Sequence, residues 1–337
     1  MEPKVFVTRK IPESGINLVR EYCEVTVYPG KGPLKGDELI QHASTMDGII
    51  CLPGDIIDKT FMSAAPHLKV VSTSSVGFEH IDVEEATRRG IYIGYTPGIL
   101  TDATADLAFA LLLSMARRIP QCDRFVRAFN WKAIGSPLHL FGTSVWGTTL
   151  GIIGLGRIGK AMAERARGFH MRVLYNDNMR LTPAEEEDLH ITYSTIDTLM
   201  QESDFVSLHT PLSSDTRHLV NAEKLRLMKP SAILINTSRG AVIDEQALVQ
   251  ALKENWIAGA GLDVYEKEPL DPKNPLLSLD NVVLVPHMGS ATKQTRSAMS
   301  ELAARNLLSV LHGTPPPSWL NPEVEKIRPL SEVKMIP

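Results

Sequence analysis

Residues Thr149 to Asp177 read TLGIIGLGRIGKAMAERARGFHMRVLYND, and the order of residue types in this stretch decides the fold. A short apolar run leads into Gly-x-Gly-x-x-Gly (Gly154, Gly156, Gly159); a helical pattern, a second apolar run and an acid, Asp177, follow. That is one β-α-β unit. Gly154 permits a tight turn off the strand, Gly156 lets the backbone approach a pyrophosphate with no Cβ in the way, and Gly159 lets helix and strand pack closely. A helix opening near Arg157 points unpaired N–H groups and the positive end of its dipole at the phosphates. Asp177 lies 18 residues past Gly159, where a carboxylate hydrogen-bonds ribose hydroxyls and repels a 2′-phosphate. Glycines alone also mark turns that bind nothing. The strand before, the helix after and the acid at the end of the next strand together point to dinucleotide binding.

Working outward, strand-like runs recur before this unit at Val5 to Thr8, Val25 to Tyr28, Gly48 to Leu52, Lys69 to Ser74 and Ile91 to Tyr95. Helical signals lie between them, as at Gly15 to Tyr22 and at Asp82 to Arg89, which Gly90 stops. Strands alternating with helices imply a parallel sheet covered on both faces. After it, Phe205 to Thr210, Ala232 to Ser238, Ala260 to Val264 and Val282 to Pro286 are strand-like, with helical signals at Ala222 to Met228 and Glu245 to Glu254. The expected fold class is α/β, with two doubly wound parallel-sheet domains: a flavodoxin-like domain, then a Rossmann domain of six or more strands. The run TDATADLAFALLLSMARR predicts a buried connecting helix, capped by Thr101 or Asp102, its apolar side running through Leu107, Leu111 and Leu112 to Arg117 and Arg118. A helix from Ser290 to about Leu311 is placed to return to the first domain. That makes the first domain discontinuous, residues 1–99 with 291–337, around a nucleotide-binding domain of residues 100–290. Residues Asn130 to Gly147 hold Trp131, Pro137, His139, Phe141 and Trp146 without a clean period, an irregular apolar segment suited to covering a partner subunit.

Composition sets the bounds. The 337 residues are 43% hydrophobic and 22% charged, with a net charge of −4, the profile of an ordinary globular protein of about two domains. No Lys/Arg-rich run could track a phosphate backbone, so neither nucleic acid nor a membrane surface is an expected partner. Cys23, Cys51 and Cys122 are widely spaced and odd in number, which fits reduced thiols rather than a disulfide framework and makes metal binding through them improbable. No signal-peptide pattern opens the chain and no apolar run reaches about 18 residues. The expectation is a cytoplasmic protein with no metal.

Ligands of open parallel sheets bind at the carboxyl ends of the strands, and three clusters there carry chemistry. AILINTSRG ends near Arg239, GLDVYEKEP holds Asp263 and Glu268, and VVLVPHMGS holds His287. Arg239 offers a planar fork that grips a carboxylate and polarises a neighbouring carbonyl. His287 suits a general acid that protonates the carbonyl oxygen as hydride arrives. Glu268, bonded to the other ring nitrogen, would orient the imidazole and favour its protonated form. Each has a bland alternative: a surface arginine, a core histidine satisfied by backbone, a solvated loop carboxylate. By composition Glu266 is as good a candidate as Glu268.

The set GLGRIG, INTSRG, AGAGLDVYEKEP and NVVLVPHMGSAT resembles the D-isomer-specific 2-hydroxyacid dehydrogenases. STSSVGFEHID, GYTPGILTDATADLAFALLL and PHMGSATKQTR are similar to the glyoxylate/hydroxypyruvate reductase branch, and the likeness runs from about Val5 to Asn321. It implies NAD(P)H-dependent reduction of a small 2-keto acid, glyoxylate or hydroxypyruvate, by a homodimer with its site in an interdomain cleft. It also implies roles: Arg239 holds the substrate carboxylate, Glu268 rather than Glu266 assists His287, and Val76, Gly77 and Ser290 add substrate contacts. Thr104, Gly154, Gly156, Arg157, Ile158, Gly159, Asp177, Thr210, Pro211, Thr237, Asp263 and Gly289 match the family's cofactor contacts.

Two departures matter. Asp177-Asn178 stands where many reductases of this branch carry a basic residue for the 2′-phosphate, so NAD(H) is expected to be preferred, with Arg180 nearby leaving NADP(H) open. His139 stands where relatives present an apolar side chain to the neighbour's active site, which opens the range to more polar or larger 2-keto acids such as 2-ketogluconate. A rival of another class is an NADH-sensing corepressor that binds peptides, against which the intact Arg-Glu-His set argues.

Overall fold

Apolar runs of three to five residues, too short for helices, build two parallel sheets. The computed structural model describes residues 2–135 and 137–337. They form two units, one of residues 1–100 with 291–337 and one of residues 101–290.

The first unit holds β1 (Lys4–Val7), β2 (Glu24–Val27), β3 (Gly48–Cys51), β4 (Val70–Thr73) and β5 (Tyr92–Gly94), in the order β2-β1-β3-β4-β5. All its pairs are parallel, the flavodoxin-like arrangement. Val5, Val7, Ile50 and Val70 pack with Ala303, Leu307 and Leu311 of the helix Lys293–Leu311, so residues from the end of the chain cover one face of a sheet made at its start. Phe6, Ile49 and Val71 face Leu39, Phe61 and Ala86 from helices on the other side. The long helix begins at Lys293, not Ser290, because Thr292 caps it by accepting from Thr295 N at 3.0 Å.

The second unit holds β6 (Thr149–Ile153), β7 (Arg172–Asn176), β8 (Ile191–Tyr193), β9 (Phe205–Leu208), β10 (Ile233–Asn236), β11 (Gly259–Leu262) and β12 (Val282–Leu284). Their order is β12-β11-β10-β9-β6-β7-β8, all parallel, a Rossmann sheet with one added strand. Strands β9, β10 and β11 are buried throughout, as strands covered on both faces must be. The order reverses at β6, whose neighbours are β7 and β9, and the carboxyl ends of the strands at such a switch point are where open parallel sheets bind ligands.

The helix Thr101–Ala116 buries Ala108, Leu111 and Leu112 in the core beneath this sheet. Thr101 is its first residue and Asp102 lies in its first turn, so neither stands ahead of it as a cap; Asp102 instead pairs with Arg165 at 3.3 Å. Among the described residues no helix is long and apolar enough to cross a membrane.

The covering helix of the first unit depends on one small residue. A β-carbon built on Gly15, in the helix Glu13–Arg20, would fall on the main-chain carbonyl of Ser300. Gly15→Ala should therefore destabilise the chain by roughly 1–3 kcal/mol through overpacking, although Ala is the better helix former. Calorimetric melting checks this, and an unchanged midpoint would count against the packing.

Candidate active site

His287 follows β12 in a left-handed conformation, φ 54°, which an L-residue adopts only when its surroundings impose it. Asp263, just past β11, imposes it. Its carbonyl accepts from His287 N at 2.9 Å, and its carboxylate accepts from Met288 N and, at 2.9 Å, from Gly289 N. With the backbone so held, the imidazole Nδ1 stands 2.7 Å from Glu268 Oε2. The other oxygen of Glu268 accepts from Tyr265 N at 3.1 Å. Tyr265 in turn donates its hydroxyl to Val285 O at 3.0 Å, tying the loop after β11 to the one after β12. Burial pushes the Glu268 carboxyl up, but the bond to His287, the His287 charge, the Tyr265 N–H and the Arg239 charge outweigh it, leaving Glu268 below its ordinary range and ionised at neutral pH. Nδ1 is thus engaged, and Nε2 is the nitrogen left for a reacting group.

Arg239 lies three residues past β10. Buried Asn236 shapes its loop, accepting from Ser238 N at 3.0 Å and donating to Arg239 O at 2.9 Å. Gly240 brings this loop against the next, because a β-carbon there would overlap the carbonyl of Tyr265. The structure separates the two glutamates that composition leaves equal. Glu266 is hydrogen-bonded to His218 Nε2 and its N–H donates to Glu245, whereas Glu268 meets His287. His287 is no core histidine: its side chain keeps 46% of its surface exposed.

At the switch point of the second unit, Gly154 has φ 93°, and a β-carbon on it would come within 2.7 Å of the His209 carbonyl. Gly159 packs on Gly154 O with equally little room. In front of Gly156, by contrast, nothing lies within 4 Å of where a β-carbon would stand. Gly156 also begins the helix Arg157–Arg167 without any side-chain cap, leaving its first N–H groups open to an anion. Arg157 is exposed there and Ile158 half-buried. The hydroxyls of Thr210 and Thr237 are enclosed and have no partner among the described residues. Thr104, Asp263 and Gly289 converge: a β-carbon on Gly289 would lie 3.2 Å from Asp263 Oδ2 and 3.3 Å from Thr104 Oγ1. Pro211 is exposed and accepts from the Thr216 hydroxyl at 2.6 Å. His209 Nδ1 is enclosed although the residue keeps some surface; burial drives its pKa down to about 4, so it is neutral at neutral pH. Open backbone at Gly156, an uncapped helix start and spare hydroxyls suit a pyrophosphate-linked dinucleotide.

In the first unit Val76 and Gly77 follow β4. Neither N–H meets an acceptor among the described residues, while Gly77 O accepts from Ser75 Oγ at 2.6 Å. Ser290 is half-buried at the end of the second unit.

Residues 109–289 match the family model described as D-isomer specific 2-hydroxyacid dehydrogenase, NAD binding domain. A glyoxylate reductase of Thermofilum pendens is 51% identical over 336 residues, 99% of each chain. One of Thermococcus litoralis is 50% identical over 96% of this chain and 98% of its own. Among solved structures, an NADPH-dependent glyoxylate/hydroxypyruvate reductase of Sinorhizobium meliloti, in complex with NADP and malonate, superposes with a TM-score of 0.83 at 33% identity, covering 96% of this chain and 98% of that one. The chain belongs to the D-isomer specific 2-hydroxyacid dehydrogenases. As an oxidoreductase of that family it uses a nicotinamide dinucleotide, bound by the second unit.

Gly240, Tyr265 and His218 escape a reading of this family member's sequence. A glycine after an arginine looks like any turn, and 48 residues separate His218 from Glu266. The Gly240 contact has a measurable consequence. Gly240→Ala must move the Arg239 loop off Tyr265, and a displacement near 1 Å costs about a hundredfold in turnover while dinucleotide binding persists. Steady-state rates beside a nucleotide titration check this, and parental rates in the variant would refute it.

Proposed function

We propose that the enzyme reduces glyoxylate to glycolate and hydroxypyruvate to D-glycerate, with NADH as the preferred donor. The observation that carries the reading is the 2.7 Å bond between His287 Nδ1 and Glu268, whose loop is packed against that of Arg239. The dinucleotide, when bound, supplies hydride to the keto carbon. Arg239 grips the substrate carboxylate through its fork and polarises the carbonyl oxygen. Val76 and Gly77, whose N–H groups meet no acceptor among the described residues, are proposed as substrate contacts of the first unit, and Ser290 as one of the second. As the C=O electron pair moves onto oxygen, His287 Nε2 gives that oxygen its proton. Glu268 stays ionised, holds the ring in place and offsets the positive charge the ring carries before transfer. The exposed imidazole then takes a proton from water.

Glyoxylate, named for relatives about 50% identical over almost their whole length, supports a small substrate, and hydroxypyruvate is named for a solved structure 33% identical. Preference for NADH rests on Asp177. Its carboxylate accepts from Leu155 N at 2.7 Å and from Met179 N at 3.0 Å, which fixes a negative charge at the end of β7 where a 2′-phosphate would lie.

We also propose a homodimer. Phe129, Trp131, Ile134, Leu138, Phe141 and Trp146 are exposed along one stretch of the second unit, the kind of apolar cluster that marks an association surface. His139 lies in this stretch, its ring 5.5 Å from that of Phe125. A monomer's mass by light scattering would remove the dimer.

Loss of nicotinamide absorbance on mixing NADH with glyoxylate or hydroxypyruvate tests the reaction, and turnover of neither acid sinks it. In the same assay His287→Ala should lose about 10²–10⁴-fold in kcat while still binding dinucleotide; undiminished rates would take the proton from another group.

A further inference from the structure

Three residues beyond Asp177 the loop after β7 carries Arg180, a cation of the kind that grips a 2′-phosphate. It is already engaged by Glu186. Its Nε donates to Glu186 Oε1 at 2.9 Å and its Nη2 to Glu186 Oε2 at 3.3 Å, a two-point grip on one carboxylate. Its guanidinium carbon also lies 5.0 Å from the centre of the Tyr193 ring. We propose that Glu186 is a specificity-determining residue, which enforces preference for NAD(H) by holding Arg180 away from the site of a 2′-phosphate. The inference rests on the reading that Asp177 meets the adenosine ribose, and it adds a second barrier: Asp177 repels the phosphate, and Glu186 withholds the counter-charge.

The lock is built into the fold. Glu186 sits in the helix Pro183–Leu189, whose start is fixed by a reciprocal cap between Thr182 and Glu185. The Tyr175 hydroxyl, on β7, donates to Glu186 Oε1 at 2.8 Å and accepts from Leu181 N at 2.9 Å, fastening strand, loop and helix together. Only 13% of the Glu186 side chain is exposed, against 59% for Arg180. The bonds from Arg180 and then Tyr175 hold the Glu186 carboxyl below its ordinary range, so it keeps its charge. A phosphate recruiting Arg180 would have to break two charge-assisted bonds and a ring contact. The simpler alternative is that the pair only fastens the loop to the helix, and the two differ in their effect on NADP+.

Calorimetric titration of NAD+ and NADP+, without substrate, separates them. The proteins are the parent, Asp177→Asn, which keeps an acceptor for Leu155 N, Asp177→Asn with Glu186→Gln, and that pair with Arg180→Ala. Relative to Asp177→Asn, adding Glu186→Gln should tighten NADP+ about tenfold, the worth of one charge-assisted bond, and move NAD+ by less than about twofold. Adding Arg180→Ala should abolish the gain. The proposal is overturned if Glu186→Gln leaves NADP+ affinity where it was, weakens both dinucleotides alike as a loosened loop would, or gives a gain that survives without Arg180. The parent reports separately on the underlying reading: NADP+ bound as tightly as NAD+ would refute the preference for NAD(H), whatever the variants do.

Discussion

Main chain lying directly on main chain is the constraint on which the second unit depends. Gly154 lies on the peptide after β9, Gly159 on Gly154, and Gly240 on the peptide of Tyr265, and at none of these joints is there space for one more carbon. The first two bring the turn after β6 against the neighbouring strand and set the helix Arg157–Arg167 at the height where its open N–H groups lie beside the switch point. The third puts the loop of Arg239 beside the loop of Glu268. Dinucleotide cradle and acid-base group are therefore held by one device, applied at different strand ends.

Side-chain carboxylates finish what the glycines begin, with distinct tasks. Asp263 spends its oxygens on the N–H groups that follow His287 and so governs where the ring is. Glu268 spends one on the Tyr265 N–H and one on the imidazole, and so governs how the ring is turned. Glu266, two residues away, is taken by His218 and serves the loop. Burial separates Asp263 from Glu268 as well: it raises the Asp263 carboxyl, while its positive neighbours bring Glu268 to a net lowering.

Much of the fold was legible because parallel strands buried on both faces are written as unbroken apolar runs, and outside the glycine unit nine of the strands overlap runs visible in the sequence, three of them (β1, β2 and β11) beginning one residue earlier. The exception is β8, three residues at the sheet edge reading Ile-Thr-Tyr, which carries too little apolar surface to stand out. The Gly154 unit was legible because turn, close approach and helix start each demand a particular residue at a particular offset. Without the family resemblance, the site was legible only as residue types. Composition leaves Glu266 and Glu268 equal and the family resemblance favours Glu268; His218, distant in sequence, adds the physical distinction by occupying Glu266. Arg180 shows the same limit, since in sequence it is a cation near a ribose acid and only the structure reveals its bond to Glu186 in a separate helix.

The path of the chain through the first unit bears on the order in which the protein can be made. Its sheet emerges from the ribosome first, yet the helix Lys293–Leu311 that must cover one face is synthesised only after the whole nucleotide-binding unit. Val5, Val7 and Ile50 therefore have Ile16 and Val19 of the helix Glu13–Arg20 but not the helix Lys293–Leu311 against them through most of translation, while all of residues 101–290 have been made before the latter appears. Part of that apolar face is open to other contacts until the helix Lys293–Leu311 arrives.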